Sequence, residues 1–144
     1  MDEKDRTYER DVKKLAEMIK DIPVAMLTTV EKDGSLRSRP MATQNAEFDG
    51  ELWFFTDVNT AKTSEIDKDH HVNVSYASPE NNRYVSVSGL ARVTRDRKKA
   101  EELWSPLYKA WFPKGLDDPD LALLKVQVNK AEYWDSPSGA PSSS

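Results

Sequence analysis

Arg37 and Arg39 stand two residues apart in SLRSRPM (Ser35 to Met41), and further on Thr56, Asp57, Thr60, Lys62, Thr63 and Ser64 gather hydroxyls round one lysine. Such a mixture suits an oxyanion, because a guanidinium or ammonium donates short, strong bonds to it and hydroxyls add neutral ones. On a strand, residues two apart project from the same side, roughly 7 Å from each other, so both guanidiniums can converge on one ligand. Pro40 lacks an N–H and belongs at a sheet edge, where neighbouring backbone groups stay available to a ligand. If Asp57 to Asn59 form a turn, Thr60 lies at or near the N-cap of a helix. The N–H groups and positive dipole end there attract anions, and Lys62 falls in the first turn. Arg39, Lys62 and the threonine hydroxyls could together neutralise a phosphate dianion, with Phe54 or Phe55 lining the flat part of the same ligand.

Plainer readings stand beside these. A helix start rich in Thr and Ser is also an ordinary capped helix. Arg37 and Arg39 also read as solvated strand residues facing Glu47 or Glu51, and Trp53, Trp104 and Trp134 as core or interface residues. His70 and His71 are neighbours that a strand would point to opposite faces, and without cysteine or a further histidine they make no transition-metal site.

The elements that must position these residues are legible. Tyr8, Val12, Leu15 and Ile19 recur at helical spacing between Thr7 and Lys20, and Pro23 follows. VAMLTTV (Val24 to Val30) reads as a buried strand, EKDGS as a tight turn at its Asp-Gly pair, and Leu36 to Gln44 as the returning strand. FDGEL holds a second Asp-Gly turn, at Asp49 and Gly50, so a third strand beginning near Glu51 completes a predicted three-strand antiparallel meander. Leu52 to Phe55 is apolar at every position, where a strand covered on one side would alternate, which implies cover on both faces. TAKTSEIDKD suggests a short helix. HVNVSYA places Val72, Val74 and Tyr76 on one face, and YVSVSGLARV does the same with Val85, Val87, Ala91 and Val93. Asp96 can cap a helix through Lys98 to Trp104, Ser105-Pro106 is a fresh helical start, and Ala122 to Val128 is a sixth strand.

Six short strands with helices at the periphery predict a mainly β fold, a closed or partly open antiparallel barrel, with neither the βαβ alternation nor the GxGxxG of a Rossmann sheet. The chain of 144 residues is the size of one domain, able to bury about two thirds of its unfolded surface. The expected organisation is a single domain over 1–135 and a flexible small-residue tail over 136–144. A net charge of −4 with no cysteine argues against nucleic-acid binding, disulfides and thiolate metal sites. No apolar run is long enough to span a bilayer, and the charged N-terminus lacks a signal-peptide core, so a cytoplasmic protein is expected.

Taken in order, RPM on a strand, WFFTD, a Thr-x-Lys helix start, YVSVSG and WFPKGLDDPDLALLKV resemble the pyridoxamine 5'-phosphate oxidase-like, FMN-binding split-barrel family, within it the general stress protein branch. The similarity runs from about Tyr8 to Trp134. It implies a six-stranded, Greek-key type split barrel, a homodimer with FMN at its interface (FAD being the alternative), and a role in stress response. By position, the resemblance puts Arg39, Pro40, Met41 and on to Gln44 along the isoalloxazine and phosphate, makes Phe55-Thr56 the family's aromatic-threonine pair, and makes Lys62 its phosphate lysine. Tyr84 falls where the oxidase has a glutamine supplied by the second subunit, and Trp111 or Trp134 is placed to close over the ring.

Two departures oppose pyridoxamine phosphate oxidation. Ala61 stands where the oxidase has a phosphate arginine, and AEYWDSPSGAPSSS lacks the family's arginine-histidine substrate motif. No catalytic acid or base stands out. The expected function is a flavin-dependent oxidoreductase acting on a small molecule, with a nicotinamide cofactor as electron donor. The alternatives are a non-catalytic flavin-binding or storage protein and a split-barrel dimer without cofactor.

Overall fold

The computed structural model describes residues 12–43, 49–58 and 70–135. The helical stripe is realised in α1 (12–19), where Leu15 and Met18 are buried and Val12, Ala16 and Ile19 pack against the same core. Asp21, left-handed at φ 69°, ends it just ahead of Pro23. Tyr8 lies outside the described residues.

The Asp33-Gly34 pair joins β1 (Val24–Val30) to β2 (Leu36–Ala42) as predicted. Gly34 takes φ 87°, a value that glycine adopts without strain, while the Asp33 carboxylate accepts the Ser35 hydroxyl at 2.6 Å and the Ser35 N–H at 2.9 Å. Those bonds, the hydroxyl's first, hold the Asp33 carboxyl below its ordinary pKa.

The remaining strands are β3 (Glu51–Asp57), β4 (His70–Ser78), β5 (Arg83–Thr94) and β6 (Leu121–Asp135). The sheet order is β2-β1-β4-β5-β6-β3, antiparallel throughout. The expected β1-β2-β3 meander is therefore corrected. Gly50 turns at φ 111°, but its carbonyl accepts the N–H of Val128, and β3 pairs with β6 from Glu51↔Gln127 to Asp57↔Leu121. A local turn signal sets the direction of the chain and not the strand it next meets.

The sheet curls so that its two edges, β2 and β3, return to within 8 Å (Cα–Cα) without pairing, which makes a six-stranded split barrel. Part of the curl comes from a bulge where the β5–β6 register shifts between Ser88 and Gly89. A Cβ at Gly89 would overlap the Gln127 carbonyl, so only glycine lets the backbones approach there.

Alternation sorts the side chains. Ala25, Leu27, Met41, Leu52, Phe54, Val72, Val74, Tyr76, Val85, Val87, Leu124 and Val126 fill the concave side, closed by α1. Burial of each large member stabilises the fold by about 1.5–3 kcal/mol. β1 was expected to be buried as a whole, yet Val24, Met26 and Val30 on its convex face are exposed. No described residue covers them.

Between β5 and β6 the chain builds a second, smaller core on the convex side of β3. Asp96 caps α2 (Arg97–Leu103) by accepting the Lys99 N–H at 3.1 Å, and Ser105 opens a 3-10 turn over Pro106–Ala110. Arg97 ties this segment to the next turn through Asp117 (2.9 Å) and the Leu116 carbonyl (3.0 Å). Ala100, Phe112, Leu121 and Leu123 are buried there, and Phe55 meets Trp104 edge-on at 5.7 Å and Tyr108 at 4.8 Å.

Candidate functional site

Seven of the described site residues lie on the two strands that border the split. Arg37, Arg39, Pro40 and Met41 lie on one edge strand and Phe54, Phe55 and Thr56 on the other. Pro40 sits on an edge, as its missing N–H requires. Gln44, Thr60, Lys62, Thr63 and Ser64 lie outside the described residues, so the phosphate helix predicted around Thr60 does too.

Arg39 and Met41 face the concave side with Leu27 and Ala25, their partners on β1. Met41 is buried in the core, and Arg39 extends the same row toward the open end. Its Nη2 donates to the hydroxyl of Thr29 at 3.2 Å, and its Nε and Nη1 are withdrawn from solvent. Arg37 shares the face by parity but turns to Glu31 at 3.7 Å, with its side chain 55% exposed. The two guanidiniums do not converge as expected. Arg37 stands opposite Thr29, beside the hairpin end, where the Glu31 carboxylate is within reach; Arg39 stands opposite Leu27, where a buried hydroxyl is the nearer acceptor. Glu51, the other partner considered for the arginines, instead holds Lys125 at 2.8 Å.

On β3 the aromatic run divides between two environments. Phe54 is 1% exposed in the main core, while Phe55 packs on Trp104 and Tyr108. Trp53, on the convex face with Phe55, lies between two ammoniums, Lys99 at 5.1 Å and Lys125 at 5.5 Å from its ring centroid. Strand β3 is apolar on both sides because the chain itself covers both.

Thr56 is the polar member of the buried row Leu52, Phe54, Thr56. It is 3% exposed, and its Oγ1 is shielded from solvent with no hydrogen-bond partner among the described residues. An unmet buried hydroxyl carries a desolvation penalty of about 1–3 kcal/mol, which a polar ligand entering the split could relieve. The sequence foretold Thr56, though not its missing partner.

Tyr84 and Trp134 are directly opposite each other in the β5–β6 ladder. Their parity is that of Ser86, Ser88 and Leu90, on the convex face, whereas Arg39 and Thr56 face the concave side. Trp111 follows the 3-10 turn of Pro106–Ala110 and is 67% exposed.

Sequence reasoning missed Thr29. It occupies the third place in the row Ala25, Leu27, Thr29, and a hydroxyl at a core-parity position is the signal that could have found it. Burial raises the Tyr76 phenol pKa far above neutrality, so this core tyrosine stays protonated. Among the described residues no cluster of His, Asp or Glu could hold a metal, and no helix is long and apolar enough to cross a membrane.

The profile of a family described as pyridoxamine 5'-phosphate oxidase like matches residues 10–143. The protein bli-3 of Neurospora crassa is 33% identical over a region covering 76% of this chain and 57% of that protein. This chain therefore spans little more than half the length of that relative. The solved general stress FMN/FAD binding protein of Xanthomonas citri superposes with TM-score 0.76 at 28% identity, covering 88% of this chain and 89% of its own. General Stress Protein 26 of Bacillus anthracis shares the fold, with TM-score 0.72 at 22% identity over 88% of this chain and 92% of its own.

Proposed function

Because this chain belongs to the pyridoxamine 5'-phosphate oxidase-like family, we propose that it binds FMN in the split and serves as a flavin-dependent oxidoreductase for a small molecule, with a role in stress response. The observation that carries this reading is the solvent-shielded Thr56 hydroxyl without a partner among the described residues, facing the concave side on one edge strand while the Arg39 guanidinium does so on the other. A cation and a hydroxyl suit a phosphate-bearing ligand, and the likeness to the general stress FMN/FAD binding protein of Xanthomonas citri supports the same reading. Arg39 would hold the phosphate with Lys62, and Thr56 would donate to or accept from the polar part of the ligand. The flavin, when bound, supplies a ring that accepts and returns a hydride. The chain's part is to bind, orient and exclude water.

The same reading takes the protein as a homodimer. Although 32% of the chain is charged, no Asp, Glu, Lys or Arg occupies the outward positions of β2, β1 and β4, and on β5 the outward row is uncharged from Tyr84 to Leu90, ahead of Arg92. The uncharged positions are Leu36, Ser38, Pro40, Ala42; Val24, Met26, Thr28, Val30; His71, Asn73, Ser75, Ala77; and Tyr84, Ser86, Ser88, Leu90. Two acidic copies repel each other least where neither is charged, so a second copy of this chain is the occupant. Tyr84 and Trp134, on that face, would then serve the site of the opposite copy.

Calorimetry with FMN and riboflavin tests the reading. The ring is common to both, and loss of two charge-assisted bonds should weaken riboflavin by about two to four orders of magnitude. Equal binding would refute the phosphate site. Turnover of a reduced nicotinamide by the loaded protein would separate an oxidoreductase from a flavin-storing protein.

A further inference from the structure

We infer that Thr29 is the positioning residue of the anion site: it holds Arg39 in the orientation that selects a phosphate-bearing flavin. This rests on the FMN reading above.

Thr29 is 1% exposed, in a row otherwise made of Ala25 and Leu27, where a valine would fill the same space without a polar atom to satisfy. Its hydroxyl accepts from Arg39 Nη2 at 3.2 Å. Leu27 is the direct cross-strand partner of Arg39 and Thr29 lies diagonal to it, so the arginine stem crosses apolar surface before its head meets the hydroxyl. Arg37 provides the contrast: two residues along the same strand and on the same face, it is half exposed and reaches the partly buried Glu31 carboxylate at 3.7 Å.

An arginine on an edge strand has several rotatable bonds and no neighbouring strand on one side to confine it. Anchoring one nitrogen of a rigid planar guanidinium sets the directions of all its donors at once. The ordering is then done before the anion arrives, and the affinity for phosphate gains by that amount. Thr29 touches Arg39, and no role in contacting the ligand is assigned to it.

Three variants test the inference, each titrated with FMN and with riboflavin by calorimetry. Thr29→Val should weaken FMN by about tenfold, because ordering of the guanidinium then falls on the binding step, and leave riboflavin unchanged. Thr29→Ser keeps the hydroxyl and should restore FMN affinity. In the Arg39→Ala background, Thr29→Val should have no further effect, because the group it positions is gone. An equal loss for both ligands, no loss at all, or additivity with Arg39→Ala would overturn the inference. If the unaltered protein prefers FMN and Arg39→Ala abolishes that preference while Thr29→Val does not change it, only the positioning role fails. If the unaltered protein shows no preference, the phosphate reading fails and this inference with it.

Discussion

Thr56→Val should make the protein more stable without flavin and a poorer binder with it. Thr56 is 3% exposed, flanked in its row by Phe54, and its Oγ1 has no partner among the described residues. Valine has nearly the same shape, so the change replaces one unsatisfied hydroxyl by a methyl and opens no cavity. The recovered desolvation penalty is about 1–3 kcal/mol. Valine's preference for a pleated, half-buried strand acts in the same direction. Taking the lower figure, the midpoint of thermal unfolding should rise by about 3 °C. If the hydroxyl is satisfied by the bound flavin, the variant forfeits a neutral hydrogen bond of about 0.5–1.5 kcal/mol, a threefold to tenfold loss of affinity. Circular dichroism melts with and without FMN report both effects in one experiment. The ligand-free melt should move up and the FMN-induced increment should shrink. Thr56→Ser serves as control, because it keeps the hydroxyl and loses only a methyl: its ligand-free melt should fall and its affinity hold. A lower ligand-free melt for Thr56→Val, or an unchanged FMN increment, would refute the assignment of this hydroxyl to the ligand.

Gly89→Ala should destabilise the fold by about 3 kcal/mol, read by urea denaturation, because its Cβ would overlap the Gln127 carbonyl and part the central β5–β6 pair; a near-neutral result would mean that the bulge yields easily. Met26→Glu on the uncharged face should shift sedimentation from dimer toward monomer, and a species that sediments as monomer before the change contradicts the proposed interface. Pyridoxamine phosphate should be oxidised poorly by the FMN-loaded protein in an oxygen-consumption assay, since the segment 131–144 carries no arginine or histidine to hold its phosphate; rapid aldehyde formation would restore that activity. Asp33 has a folded pKa below its unfolded one, so its contribution to the hairpin is present above the ordinary carboxylate range and lost as pH falls through the lowered value. Ser35→Ala, which removes the larger cause, should move the Asp33 titration in an NMR pH series upward; an unmoved titration would assign the depression elsewhere.

What could be read from the sequence was what local chemistry determines. The strand cores, the Asp96 and Ser105 caps and the Asp33-Gly34 turn each follow from a few adjacent residues, and each is present. The pairing of β3 could not be read, because Asp49-Gly50 reports a change of direction while the partner strand lies beyond β4, β5 and α2. Nor could the divergence of Arg37 and Arg39. Alternation places both on one face, but which acceptor each reaches depends on the register with β1, which sets Thr29 against one and leaves Glu31 near the other. The double apolarity of Trp53 to Phe55 was rightly read as cover on both sides. The outer cover comes from Trp104 and Tyr108 of the same chain, which the strand's own sequence does not name.

The sheet order has a kinetic consequence. Consecutive strands β2 and β3 end on opposite edges, and β3 has no strand to pair with until β6 has formed. The β1–β2 hairpin needs only a short loop and closes early, whereas Glu51↔Gln127 must close most of the domain at once, the kind of non-local contact that slows folding. During synthesis, Arg39 is on its strand long before Thr56 has a sheet to join. The last closure of the barrel is thus also the step that creates the split, and a refolding chain should acquire ligand affinity in its slowest phase.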